Sequence, residues 1–246
     1  MIPKVYVYAT DSHSEITIGD FLLKVRSDIQ WIVRSPNRPK PPKNAYVDEA
    51  SFPMLTGRTG DDLEQFMLEE INAHPYILTE CAAVLLEDDL DFRDAGENQA
   101  GFLQAQQARL DNKIICMYAA PEIETWFVED WENSFGNVRI FSNQQIATRL
   151  RSAVNRMKEE CGGNLENYAQ YHSDKFSDWI IEKIEQIALD YDIIAPISYS
   201  KRLHGSKFLA EIDPEKVVQN CRVYFAKAYH KIKELHTNER SNTHGF

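Results

Sequence analysis

The chain has 246 residues, 43% of them hydrophobic and 11% aromatic, enough to bury one sizeable core in one domain with an embellishment. Its formal net charge of −11 counts mildly against nucleic-acid binding through the overall field, although a local basic groove or a partner subunit can supply positive surface. No stretch approaches the roughly 20 apolar residues of a membrane-crossing helix, and the first residues run into a strand pattern without a signal-peptide layout, so a cytoplasmic protein is expected.

Lys4 to Ala9 is β-branched and aromatic, which predicts a first strand. A polar turn from Thr10 to Glu15 follows, then Ile18, Phe21, Leu22 and Val25 at helical spacing. Strand, turn and helix open a doubly wound α/β unit. Four of the ten prolines fall between Ser35 and Lys43, which predicts an extended connection, or a basic arm given Arg34, Arg38, Lys40 and Lys43. Gly57-Arg58-Thr59-Gly60 reads as a turn and cap, with anion binding by backbone N–H groups as the alternative.

A helix is predicted at about 61–72, with Leu63, Phe66, Met67 and Ile71 on its apolar face. Cys81 to Leu86 is a continuous apolar run, as expected of a central parallel strand, and Glu87-Asp88-Asp89-Leu90-Asp91 ends it. A weaker helical pattern spans Phe102 to Leu110, and Lys113 to Ala119 predicts another buried strand. Pro121 is expected to open a short helix carrying Ile123, Trp126 and Phe127. The rest reads as helical: one helix lined by Ile146, Leu150, Val154 and Met157, and a second by Trp179, Ile180, Ile184, Ile187 and Tyr191. The last is a single helix capped by Asp213, with Pro214 at its first position and Val217, Cys221, Tyr224, Phe225, Ala228, Ile232 and Leu235 on one face.

Ligands of open parallel sheets gather beyond the carboxyl ends of the strands, and acids stand at three such places. They are Glu15 after the first strand, Asp89 and Asp91 after the strand ending at Leu86, and Glu122 with Glu124 after the strand ending near Ala119. In extended backbone Asp89 and Asp91 face one way and Asp88 the other. Clustered carboxylates repel unless a cation or proton relieves them, and Mg²⁺ accepts one or two carboxylates, waters and a substrate phosphate. A solvated acidic loop is the competing account. The four cysteines form no Cys-x-x-Cys pair and read as reduced packing residues, and neither His13 nor His204 has a partner at ligand spacing, which argues against zinc. The Walker glycine loop and the G-x-S-x-G elbow are both missing from the sequence.

A strand followed by Glu15, then a hydrophobic strand followed by Asp89-x-Asp91, resembles the TOPRIM fold of topoisomerases, primases and OLD-type nucleases. The run from Ala120 to Asp130, with its E-x-E-x-W pattern, adds a narrower likeness. So do Gly205-Ser206-Lys207 and Ile212-Asp213-Pro214-Glu215-Lys216. They resemble an uncharacterised bacterial TOPRIM-like family often encoded beside ATPases, including AbiL-type phage-defence pairs. The resemblance implies a TOPRIM-like α/β core at 1–140 with a helical extension at 141–240 packed on it as one compact domain. It implies a nuclease using Mg²⁺ or Mn²⁺ with an ATPase partner, and leaves room for self-association. Glu15 is then an acid/base or metal-adjacent carboxylate, Asp89 and Asp91 metal ligands, Glu122 or Glu124 the completion of the shell, and Lys207 a partner for a phosphate or an acid. The first motif here reads Ala9-Thr10-Asp11-Ser12-His13-Ser14-Glu15, without the family's glycine and first glutamate. A non-catalytic subunit that regulates an ATPase is the alternative.

Overall fold

Four parallel strands set the frame, in the order β2-β1-β3-β4: β1 is Lys4–Ala9, β2 Gln30–Arg34, β3 Cys81–Asp89 and β4 Ile114–Ala119. The structure is a computed structural model and describes residues 2–10, 14–34, 60–92, 110, 113–193 and 199–235. The Pro-rich stretch from Ser35 to Lys43, the Gly57–Thr59 turn, His13 and the pattern from Phe102 to Arg109 lie outside the described residues.

The sheet is covered on both faces, which is why its central strands read as unbroken apolar runs. On one face Tyr6, Tyr8, Val84, Leu86 and Ile114 pack with Leu63, Met67 and Ile71 of α2 (Asp61–Ala73). On the other, Val5, Val7, Ala9, Ala83, Leu85, Ile115 and Met117 meet Ile18, Phe21, Leu22 and Val25 of α1 (Ser14–Val25). A short α3 (Tyr76–Glu80) leads into β3. After β4 come α4 (Glu124–Glu129), α5 (Gln144–Glu160), α6 (Tyr168–Tyr171) and α7 (Phe176–Asp190), then α8 (Ser206–Glu211), α9 (Pro214–Asn220) and α10 (Phe225–Glu234). Their apolar faces join the core of α1: Trp126 stacks on Phe21 at 5.5 Å and meets Phe225 at 4.8 Å between ring centroids. Among the described residues no helix is long and apolar enough to cross a membrane, and all four cysteines are free, three of them buried.

Four local differences from the sequence reading have physical causes. Strand β2 is a five-residue edge strand, half-buried along most of its length, too short and too mixed for an alternating pattern to stand out. Strand β3 runs on through Glu87, Asp88 and Asp89, so these acids belong to the strand, paired with Ala9 on one side and Met117 to Ala119 on the other. Helix α4 starts at Glu124, after Pro121, and the Asp89 carboxylate accepts the Ile123 N–H at 2.8 Å at its start. The final helix is two, α9 and α10. The buried Glu166 carboxylate accepts the N–H groups of Val223 (2.7 Å) and Tyr224 (2.9 Å), drawing the chain out of helical geometry at that point.

The stretches Ala120–Asp130 and Ile212–Lys216 interlock. Buried Asp130 accepts the Asp213 N–H at 2.7 Å and pairs with Lys216 at 3.0 Å, while the Asp213 side chain caps α9 by accepting the Glu215 N–H.

Candidate functional site

The site forms at the carboxyl edge of β3 and β4. Strand alternation sends Asp88 and Asp89 to opposite faces. Asp88 is fully buried and accepts the Gly60 N–H at 2.8 Å, tying down the start of α2. That N–H of the glycine turn therefore binds an anion of the chain itself. Asp89 turns the other way, and after it Leu90 and Asp91 bond the carbonyls of Ala119 and Pro121 while Asp91 takes a positive φ of 49°. The extended parity that would align Asp89 with Asp91 ends at Asp89.

The two aspartates are joined instead through lysines. Lys201 Nζ lies 3.1 Å from Asp89 Oδ2, 3.3 Å from Glu122 Oε1 and 3.3 Å from Glu124 Oε2. Lys175 Nζ lies 3.1 Å from Asp91 Oδ1 and 3.9 Å from Glu122 Oε1. Glu122 also accepts the Ser177 N–H (2.9 Å) and hydroxyl (3.1 Å) from the first turn of α7, and Glu124 accepts the Tyr199 hydroxyl at 2.7 Å. Asp89, Asp91, Glu122 and Glu124 thus form one network with two ammonium groups.

Burial and charge pull these acids apart. Burial, reinforced by the charges of Asp89 and Glu122, pushes Glu124 up to about 7 against the pull of Lys201. Burial also opposes ionisation of Glu122, but Lys201, both Ser177 donors and Lys175 outweigh it and hold this carboxyl below the usual range. Asp89 is raised by burial and by its acidic neighbours Glu122 and Asp91. Burial would lower Lys201, yet Asp89, Glu124 and Glu122 hold it well above an ordinary lysine.

Glu15 is the second residue of α1, which begins shortly beyond the end of β1; its side chain lies outside the described residues. Lys207 is exposed on α8 and takes part in none of the cluster's ion pairs. Lys201 and Lys175 fill the cationic role and were not singled out from the sequence. Lys201 is 112 positions from Asp89, and the sole hint was general: strand-end acids need cations, which any of 27 lysines and arginines can supply. His204 accepts the Ser200 N–H at 3.1 Å, and burial lowers its basicity.

Carboxylate oxygens are the donors that a hard divalent cation takes. As placed, the Lys201 ammonium holds their common point, and among the described residues no three acidic, histidine or cysteine side chains stand together ready to hold a metal. These acids are thus neutralised by the chain's own ammonium groups and are not arranged as a metal site. Comparison of the chain with protein-family models, curated proteins and solved structures gives no match.

Proposed function

We propose that the protein is a divalent-metal-dependent, TOPRIM-like nuclease that hydrolyses phosphodiesters in anti-phage defence together with an ATPase. The reading rests on one observation: Asp89 at the end of β3 and Glu122 and Glu124 just beyond β4 converge on one cationic point, the Lys201 ammonium. The defence role and the ATPase rest on the resemblance of the Ala120–Asp130 and Gly205–Lys216 stretches. Asp89, Glu122 and Glu124 are the residues that would hold Mg²⁺ or Mn²⁺. Such an ion, when bound, lowers the pKa of a water nucleophile and stabilises the departing oxygen. Lys175, half-exposed and paired with Asp91, would meet a phosphate oxygen in this reading.

The test is cleavage of single- and double-stranded DNA and RNA with Mg²⁺ or Mn²⁺, comparing wild type with Asp89→Asn plus Glu122→Gln. Loss of ligands and their support is expected to lower activity by at least roughly 100-fold while the fold persists by circular dichroism. Undiminished cleavage by the double variant would remove these acids from the mechanism.

The neutralisation of the acids by Lys175 and Lys201 favours a second reading, a non-catalytic subunit that regulates the ATPase. Stable co-purification with the ATPase, with no metal-dependent cleavage by either the chain or the complex, selects it.

A further inference from the structure

Helix α10 lies along β4, which ends the sheet on one side among the described residues. Phe225, Ala228 and Ile232 bury one side of the helix in the core shared with α1. Tyr224, just before it, packs on Leu90, Tyr118 and Ala120 at the carboxyl end of β3 and β4.

The other side of α10 faces solvent and is basic. Lys227 and Lys231 are exposed, four positions apart and so about 6 Å along the helix axis. Arg222, exposed ahead of them, donates its Nε to the Gln219 carbonyl at 2.8 Å. Lys227 stands over the Tyr224 ring, 5.9 Å from its centroid. Lys231 lies nearer the middle of β4: burial raises the Cys116 thiol there, and the Lys231 charge works against it. From Phe225 the helix carries no acid until its last residue, Glu234. Among the described residues Arg222, Lys227 and Lys231 enter no ion pair, while Lys233 on the flank is held by Glu215 at 3.2 Å. Lys158, Lys175, Lys201 and Lys216 are all held against buried or half-buried acids. In a chain of net charge −11, a row of cations left to solvent is a local reversal of sign.

The row starts beside the acid cluster. Leu90, on which Tyr224 packs, is flanked by Asp89 and Asp91, which are paired with Lys201 and Lys175. The row then leads away along β4. A lipid surface requires an apolar face free to insert, and no large apolar side chain of α10 is exposed. Cations at helical spacing suit a phosphate backbone, which is bound through its charge.

Resting on the nuclease reading for the kind of polyanion, we propose that Arg222, Lys227 and Lys231 form a phosphate-binding ridge, which holds the backbone of a nucleic acid along β4 and leads it to the edge at Asp89 and Asp91. Phosphate contacts position a strand without reading it, so the affinity that the ridge supplies falls with salt and is indifferent to base order.

The test is binding to the full chain, followed by fluorescence anisotropy of labelled single- and double-stranded DNA over a salt series in EDTA, so that metal-dependent cleavage does not intervene. Lys227→Gln plus Lys231→Gln is compared with wild type and with Arg139→Gln plus Arg156→Gln, which removes the same charge from exposed positions in and before α5. Both lysines are exposed, and circular dichroism checks that the fold is kept. The ridge variant is expected to bind at least roughly tenfold more weakly at low salt, with a slope of log affinity against log salt shallower by about one unit per lysine. The control variant is expected to stay close to wild type. Equal affinity and slope in wild type and the ridge variant, or equal losses in the two variants, overturn the ridge. Displacement of the DNA by polyglutamate as readily as by unlabelled DNA, at matched charge, reassigns the ridge to an acidic protein and overturns the nucleic-acid assignment. Wild type that shows no salt-sensitive binding also overturns the ridge. Metal-dependent cleavage in the assay above upholds the nuclease reading in each of these cases, so the two failures are told apart.

Discussion

Glu124 and Glu122 are separated by one residue and are shifted in opposite directions from the ordinary carboxyl value. Glu124, raised from 4.5 to about 7 chiefly by burial, binds its proton more tightly in the folded chain than in the unfolded one. The folded state therefore holds more protons across that interval, and stability contributed by this group falls as pH rises from about 4.5 to about 7. Glu122, held below its ordinary value, contributes stability above the unfolded carboxylate range that is lost as pH falls through its folded value. Glu124→Gln is accordingly expected to flatten the decline in melting temperature between about pH 5 and pH 7 while leaving the acid limb in place. Thermal melts across a pH series decide this, and a wild-type decline that survives in the variant would assign it to another group.

At the scale of elements, the end of β3 shows how one strand serves two layers: Asp88 secures the start of α2 on one face and Asp89 the start of α4 on the other. Glu166 does comparable work between α9 and α10. Glu166→Ala would leave the half-buried N–H groups of Val223 and Tyr224 without their acceptor, at an expected cost of about 1–2 kcal/mol. Chemical denaturation measures the cost, and hydrogen exchange at Tyr224 and Phe225 should accelerate if the junction opens. This junction also marks where the sequence stopped being legible. Val217, Cys221, Phe225, Ala228 and Ile232 all reach the core, so their spacing reads as one helix, while the break is imposed by an acid more than fifty positions away. Strands β1, β3 and β4 were readable because burial on both faces demands continuous apolar runs, and α1, α2 and α5 because their apolar faces repeat at helical spacing. The acids of the site were readable by their place at strand ends. Their counter-ions were not, because Lys175 and Lys201 are brought in by tertiary packing and carry no local signature.

For the whole molecule, the larger of the hydrophobic clusters runs from Val5 in β1 through Trp126 to Ile232 in α10, so one face of the sheet and the carboxyl-terminal helices share buried contacts. Trp126, fully buried between Phe21 and Phe225, lies at the join. Trp126→Ala is expected to cost about 3–5 kcal/mol. Loss of stability without loss of a single cooperative transition, followed by denaturant melts with two probes, is the expected result; two separated transitions would show that the parts unfold independently. The ion network adds an order in time to this unity. Every acid of the cluster precedes both of its lysines in the chain, so a ribosome delivers Asp89, Asp91, Glu122 and Glu124 before Lys175 or Lys201 exists. A nascent chain can pair its strands early, but their carboxyl edge stays a knot of like charges until the last third of the protein emerges. Neutralisation of that edge by the chain's own ammonium groups therefore waits for its carboxyl-terminal third.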